Sequence, residues 1–103
     1  MRICVTELRL ARAAQDDLRN IRAYSKSAFG PSVAREYLQG IQERFALLRT
    51  HALIGSDESD LGDGLRSLGY RSHRIYYAVR DNLILIVRIL HHAQDAPRVL
   101  GRE

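Results

Sequence analysis

The dipeptide Gly30-Pro31 stands between two long amphipathic stretches and constrains this chain more than any other feature. Glycine accepts the left-handed backbone that closes a helix, and proline is preorganised for a first helical turn. In residues 11–28 the apolar set Ala14, Leu18, Ile21, Tyr24 and Ala28 recurs at spacings of three and four, with Arg12, Asp16, Arg19 and Lys26 on other faces. In residues 31–50 Ala34, Tyr37, Leu38, Ile41, Phe45 and Leu48 form the corresponding stripe. So short a corner predicts an antiparallel helical hairpin. Gly40, inside the second helix, costs about 1 kcal/mol relative to alanine, which predicts a close helix-to-helix approach at that point.

Strand patterns flank the hairpin. Residues 3–10 alternate loosely, and the β-branched Ile3, Val5 and Thr6 suit a strand. Residues 55–64 are polar, acidic and without periodicity, the pattern of a solvated surface connector. Residues 65–68 form a short strand candidate. In residues 72–80, His73, Ile75, Tyr77 and Val79 share one face while Arg74, Tyr76, Ala78 and Arg80 share the other. Asp81-Asn82 suits a tight turn into residues 83–91, which are apolar on both faces except for Arg88 and so belong inside a sheet. Residues 95–100 read as a short helical turn or an extended segment. The order predicts a two-layer α+β fold: an N-terminal strand and an antiparallel helical hairpin packed on a mostly antiparallel four-stranded sheet, one domain over residues 1–103. The first strand is expected beside residues 83–91, and the second helix over the sheet.

Composition narrows the function. Sixteen basic residues against 12 acidic ones give a charge of +4, and all the basic residues but Lys26 are arginines, which favours bidentate contacts to carboxylates or phosphates. The single cysteine, Cys4, precludes an intramolecular disulfide, and histidines scattered at 51, 73, 91 and 92 give no metal-ligand spacing. A reducing, cytoplasmic compartment is expected. The longest apolar run, residues 83–87, is far too short to span a membrane, and the chain starts without an apolar signal core. With no glycine-rich phosphate loop, nucleophile elbow or paired catalytic carboxylates, no cofactor is expected.

The segments Gly64-Leu65-Arg66, Ser72-His73-Arg74-Ile75-Tyr76-Tyr77 and Val87-Arg88-Ile89-Leu90-His91 with Asp95, behind a strand and a hairpin broken at Phe29-Gly30, resemble the ParE branch of the ParE/RelE toxin superfamily. The likeness covers nearly the whole chain. It implies a toxin of a type II toxin–antitoxin module, neutralised by a ParD-type antitoxin, that inhibits DNA gyrase by stoichiometric binding rather than as an enzyme. It implies no sequence-specific DNA binding by the toxin alone, and it links toxicity to the C-terminal region, here Arg98 and Arg102 after Pro97. The alternative is the RelE branch, which cleaves messenger RNA in the ribosome. This chain departs from that pattern in having one lysine and no C-terminal tyrosine.

Two sets of residues follow. A nuclease would use His91 or His92 for acid–base work, with Arg74 and Arg88 around the scissile phosphate; His91 paired with Asp95 is a further dyad candidate. A binding protein would present Arg66, Arg71, Arg74 and Arg88 as a basic patch on the open sheet face. Tyr76 among them would stack a base or pack an antitoxin side chain, and His91 and Arg98 complete the partner-binding set. Arg88 in an apolar strand needs solvent, a partner or a carboxylate; the internal acids nearest in the pattern are Asp95 and those of residues 57–63. His73 is expected as a partly buried ring bonded to a backbone group or carboxylate, and His91 and His92 to point to opposite faces if the strand reaches that far.

Overall fold

The computed structural model describes residues 7–100. The expected positions of Ile3, Cys4, Val5, Thr6 and Arg102 lie outside them. The hairpin forms as its sequence dictates: α1 (Arg12–Phe29) ends where Gly30 takes φ 97°, its N–H bonding the carbonyl of Lys26, and α2 (Pro31–Thr50) starts on the proline. Strand β1 (Glu7–Leu10) precedes the hairpin, and β2 (Ser56–Asp57), β3 (Leu65–Tyr70), β4 (His73–Arg80), β5 (Leu83–His91) and the short helix α3 (Ala96–Leu100) follow it. The sheet runs β1-β5-β4-β3-β2, with β1 parallel to β5 and the other pairs antiparallel.

The connector read as a solvated loop thus contributes a fifth, two-residue strand. It is tethered as well, since the Ser67 hydroxyl donates to Glu58 at 2.7 Å and the Glu58 N–H to the Leu65 carbonyl at 2.8 Å. These bonds are nonlocal, so no periodicity announced them.

Both helices lie on one face of the sheet. Ala14 and Ile21 from α1 and Ile41, Phe45 and Leu48 from α2 are buried with Tyr70, Ile75, Tyr77, Ile84, Ile86 and Ile89. Tyr77 ties the chain after α2 to this core, its hydroxyl accepting from the Gly55 N–H at 2.9 Å and donating to the Ala52 carbonyl at 2.8 Å. The opposite face is covered at one end, where α3 returns to pack Ala96, Val99 and Leu100 on Leu65, Tyr76 and Leu90. Gly40 does permit a close approach, but of a strand rather than a helix: the Tyr70 ring of β3 lies where a Cβ at position 40 would stand. Among the described residues no helix is long and apolar enough to cross a membrane.

Candidate partner-binding site

The residues that gather lie at the end of the sheet where β4 starts and β5 finishes, beneath the hairpin. The decisive local feature is a bulge. Tyr76 pairs with Arg88 but Tyr77 with Ile86, so β5 carries one extra residue and its alternation resets. Ile84 and Ile86 before the bulge and Ile89 after it therefore all join the core under the helices. Just beyond, β1 has already ended opposite Ile86, leaving the edge of β5 without a strand neighbour. Asp17 of α1 takes that place: its carboxylate accepts from Arg88 Nε at 2.8 Å, from Arg88 Nη2 at 2.9 Å and from the Ile89 N–H at 2.9 Å. Hydrogen bonding to Asp17 raises the Arg88 pKa further above its ordinary value, against the opposing effect of burial.

Beside this pair opens a cleft of about 740 Å³ between α1, the hairpin corner and the strand ends, reached by Arg71, His73, Arg88 and His91. Its hairpin wall carries Tyr24, Phe29 and Val33, which are 67%, 62% and 44% exposed. The first two rings meet edge to face, 6.3 Å between centroids. Tyr24, expected in the buried stripe of α1, is instead the most exposed large apolar side chain of the described residues.

Behind the cleft Tyr37 organises the turn between β3 and β4. Its hydroxyl is hydrogen-bonded to His73 Nδ1 at 2.7 Å and accepts the Ser72 N–H at 3.3 Å. His73 is therefore partly buried, as expected, but on a tyrosine rather than a backbone group or carboxylate. The ring of His91 meets His73 edge to face at 5.2 Å, and His92 stacks on His91 at 4.3 Å. The strand does not reach His92: β5 ends at His91, the chain turns there, and the two rings lie together instead of on opposite faces. The Ala93 N–H donates to His91 Nδ1 at 3.0 Å, which in the neutral ring places its own proton on Nε2.

Burial lowers the His73 pKa, and the neighbouring His91 acts in the same direction. The unfolded chain thus holds this proton more readily than the folded one. Stability is full above the unfolded value of about 6.5 and falls as pH drops through it towards the folded-state pKa. We expect thermal melts between about pH 7.5 and about pH 5 to show an acid-side loss that His73→Gln flattens. An unchanged slope in the variant would assign the proton elsewhere.

The other sequence candidates disperse. Arg66 donates to the carbonyls of Leu53 and Gly55, at 3.2 and 2.8 Å, and braces the loop after α2. Arg71, with φ 52° in the β3–β4 turn, lies over the Tyr70 ring at 5.4 Å and reaches the cleft. Arg74 pairs in register with Gly69 on the face away from the helices. Tyr76 is buried under α3 and not free to stack on anything. Arg88 pairs with Asp17, not with Asp95 or the acidic loop, and faces the hairpin. The expected basic patch on the open sheet face is therefore not assembled. Nor are the nuclease candidates, since Arg74 stands on the face opposite His91. Asp95 sits 3.9 Å from exposed Arg98, and the partner of the His91 N–H is Gln94 at 2.9 Å. Among the described residues no cluster of side chains suits a metal ion.

Sequence reasoning passed over Asp17, Phe29 and Val33. A signal for the first was present: Asp17 lies four residues before Ile21 and seven before Tyr24, which puts a carboxylate on the apolar face of α1.

A strand, a helical hairpin and a mainly antiparallel sheet in this order define the α+β architecture of small toxins from toxin–antitoxin modules. The solved structure titled "Chromosomal ParDE TA system from P. aeruginosa" contains a chain similar to this one, 26% identical, with a TM-score of 0.73 over 84% of this chain and 96% of that chain. The RelBE2 toxin–antitoxin complex of Mycobacterium tuberculosis shares the fold, at 20% identity and a TM-score of 0.52 over 90% of this chain and 98% of that one. The family described as "ParE toxin of type II toxin-antitoxin system, parDE" matches residues 8–96. Toxin ParE1 of Mycobacterium tuberculosis is 30% identical over 92 residues, covering 88% of this chain and 94% of that protein. The chain belongs to the ParE family of type II toxins.

Proposed function

We propose that the chain is a single-domain cytoplasmic toxin that inhibits DNA gyrase by stoichiometric binding, without catalysis or a cofactor, and is neutralised by a ParD-type antitoxin. The observation that carries the antitoxin reading is the exposed apolar wall of the cleft. Tyr24, Phe29 and Val33 together are costly to leave in water, and a helix laying apolar side chains between them, with an acid towards Arg71, would cover all three. Family membership and the likeness to a chain of the P. aeruginosa ParDE system support the same partner. The separation of Arg74 from His91 and the engagement of Arg88 by Asp17 favour binding over RNA cleavage. The reading includes no sequence-specific DNA contact by the toxin alone.

The test has two arms. Relaxed plasmid is supercoiled by purified gyrase in the presence of this protein, with and without Arg98→Glu. Truncation before Pro97 is a poor substitute, because it would strip α3 from Leu65, Tyr76 and Leu90 and confound folding with contact. Inhibition near equimolar toxin is expected, weakened by Arg98→Glu; none at any toxin concentration would remove gyrase as the target. In the second arm Phe29→Ala should weaken capture of the ParD-type protein roughly tenfold or more, as truncating a central aromatic anchor does. Unchanged affinity in both Phe29→Ala and Tyr24→Ala would move the antitoxin away from the cleft.

A further inference from the structure

The hairpin has a second groove, on the opposite flank of α1. Two adjoining depressions of about 280 and 500 Å³ follow the seam between α1 and α2 and share Arg22, Arg35 and Leu38. No residue of the sheet lines them, and none of their residues lines the cleft described above.

The seam is one-signed. Arg22, Lys26 and Arg35 stand along it and form no ion pair among the described residues, while Arg19 is held by Asp16. No carboxylate lines it: Asp17 is engaged on the other flank, and Glu36 and Glu43 line neither depression. Leu18, Ala34 and Leu38 give the floor between the cations its apolar part, and the uncharged Gln15, Gln39 and Gln42 border the larger depression.

We propose that this seam is a second docking surface, for an acidic amphipathic helix of a protein partner. Such a helix satisfies both halves of the surface, with apolar side chains at helical spacing on the Leu18–Leu38 floor and carboxylates against the three cations. A nucleic-acid backbone satisfies only the cations: it leaves the floor uncovered, and no aromatic ring lines the seam to stack a base. Because the seam and the cleft share no side chain, both can be occupied at once. The proposal stands independently of what fills the cleft.

Fluorescence anisotropy with the purified full chain tests it. The probes are a labelled helical peptide of glutamate with leucine at every third or fourth position, a labelled polyglutamate of equal charge, and a labelled DNA duplex. The amphipathic peptide is expected to bind at least about tenfold more tightly than polyglutamate and to weaken as salt rises from about 0.05 to about 0.5 M. Reversing the charges together (Arg22→Glu, Lys26→Glu, Arg35→Glu) is expected to cost at least about tenfold in affinity, with the melting curve retained. Equal affinity for polyglutamate would overturn the amphipathic reading, as would tighter binding of the duplex lost in the same variant. Peptide binding insensitive to the charge reversals but lost in Phe29→Ala would place the peptide in the cleft and overturn the second surface; so would no binding.

Discussion

Asp17→Ala is expected to destabilise the protein by about 2–3 kcal/mol, lowering the melting temperature of a domain this size by roughly 10 °C or more. Three bonds end on one carboxylate, and its side chain is 12% exposed against 25% for Arg88. Removing it leaves a guanidinium partly buried without its counter-ion and an N–H at the edge of β5 without an acceptor. The figure lies below that for a fully buried pair because Arg88 reaches some water, which screens the charge. Asp17→Asn keeps an acceptor but loses the charge, so it should fall between Asp17→Ala and the native protein. Urea denaturation of the three proteins at neutral pH decides this. A loss under about 0.5 kcal/mol for Asp17→Ala would mean that water replaces the carboxylate at no cost.

The second large effect is at Gly40. In a solvated helix Gly→Ala adds about 1 kcal/mol of stability; here we expect a net loss of up to about 2 kcal/mol, because overpacking a filled core costs about 1–3 kcal/mol. A methyl group at position 40 would coincide with the Tyr70 ring, and that ring has little room to move. Tyr37 meets it edge to face at 5.0 Å, and the guanidinium groups of Arg44 and Arg71 lie 5.1 and 5.4 Å from its centroid. Tyr70→Leu should make the alanine tolerable, so a double-mutant cycle is expected to show coupling of at least about 1 kcal/mol. Additive effects would show that the helix, not the ring, yields.

These two sites mark where the sequence was and was not legible. The hairpin, its corner and the β4 and β5 strands could be read because their signals are local: a helical stripe, a Gly-Pro stop and start, alternation at period two, an Asp-Asn turn in which Asp81 does take φ 55°. The place of β1 beside β5 followed from burial alone, since a strand apolar on both faces needs neighbours on both edges. Gly40 announced a close approach without naming what approaches. The site residues fared worse. Arg88 read as part of an open-face patch, but Asp17 of α1 engages it at the edge of β5, where one extra residue breaks the alternation. Tyr76 read as an available ring beside arginines, but α3 folds back over it.

What the sequence by itself determined is therefore the element order, the layer architecture and the likeness to ParE toxins, because each rests on patterns within one segment or on the order of segments along the chain. Tertiary structure alone decided the partners of individual polar side chains and which apolar residues stay uncovered. Asp17 and Arg88 are 71 positions apart, and nothing in either segment specifies the other. The same holds for the cleft. Tyr24 and Ile21 both belong to the apolar side of α1, yet Ile21 meets the sheet while Tyr24 overlooks an opening. Helical spacing sets which way a side chain leaves the helix, and only the packing of other elements sets whether anything waits there.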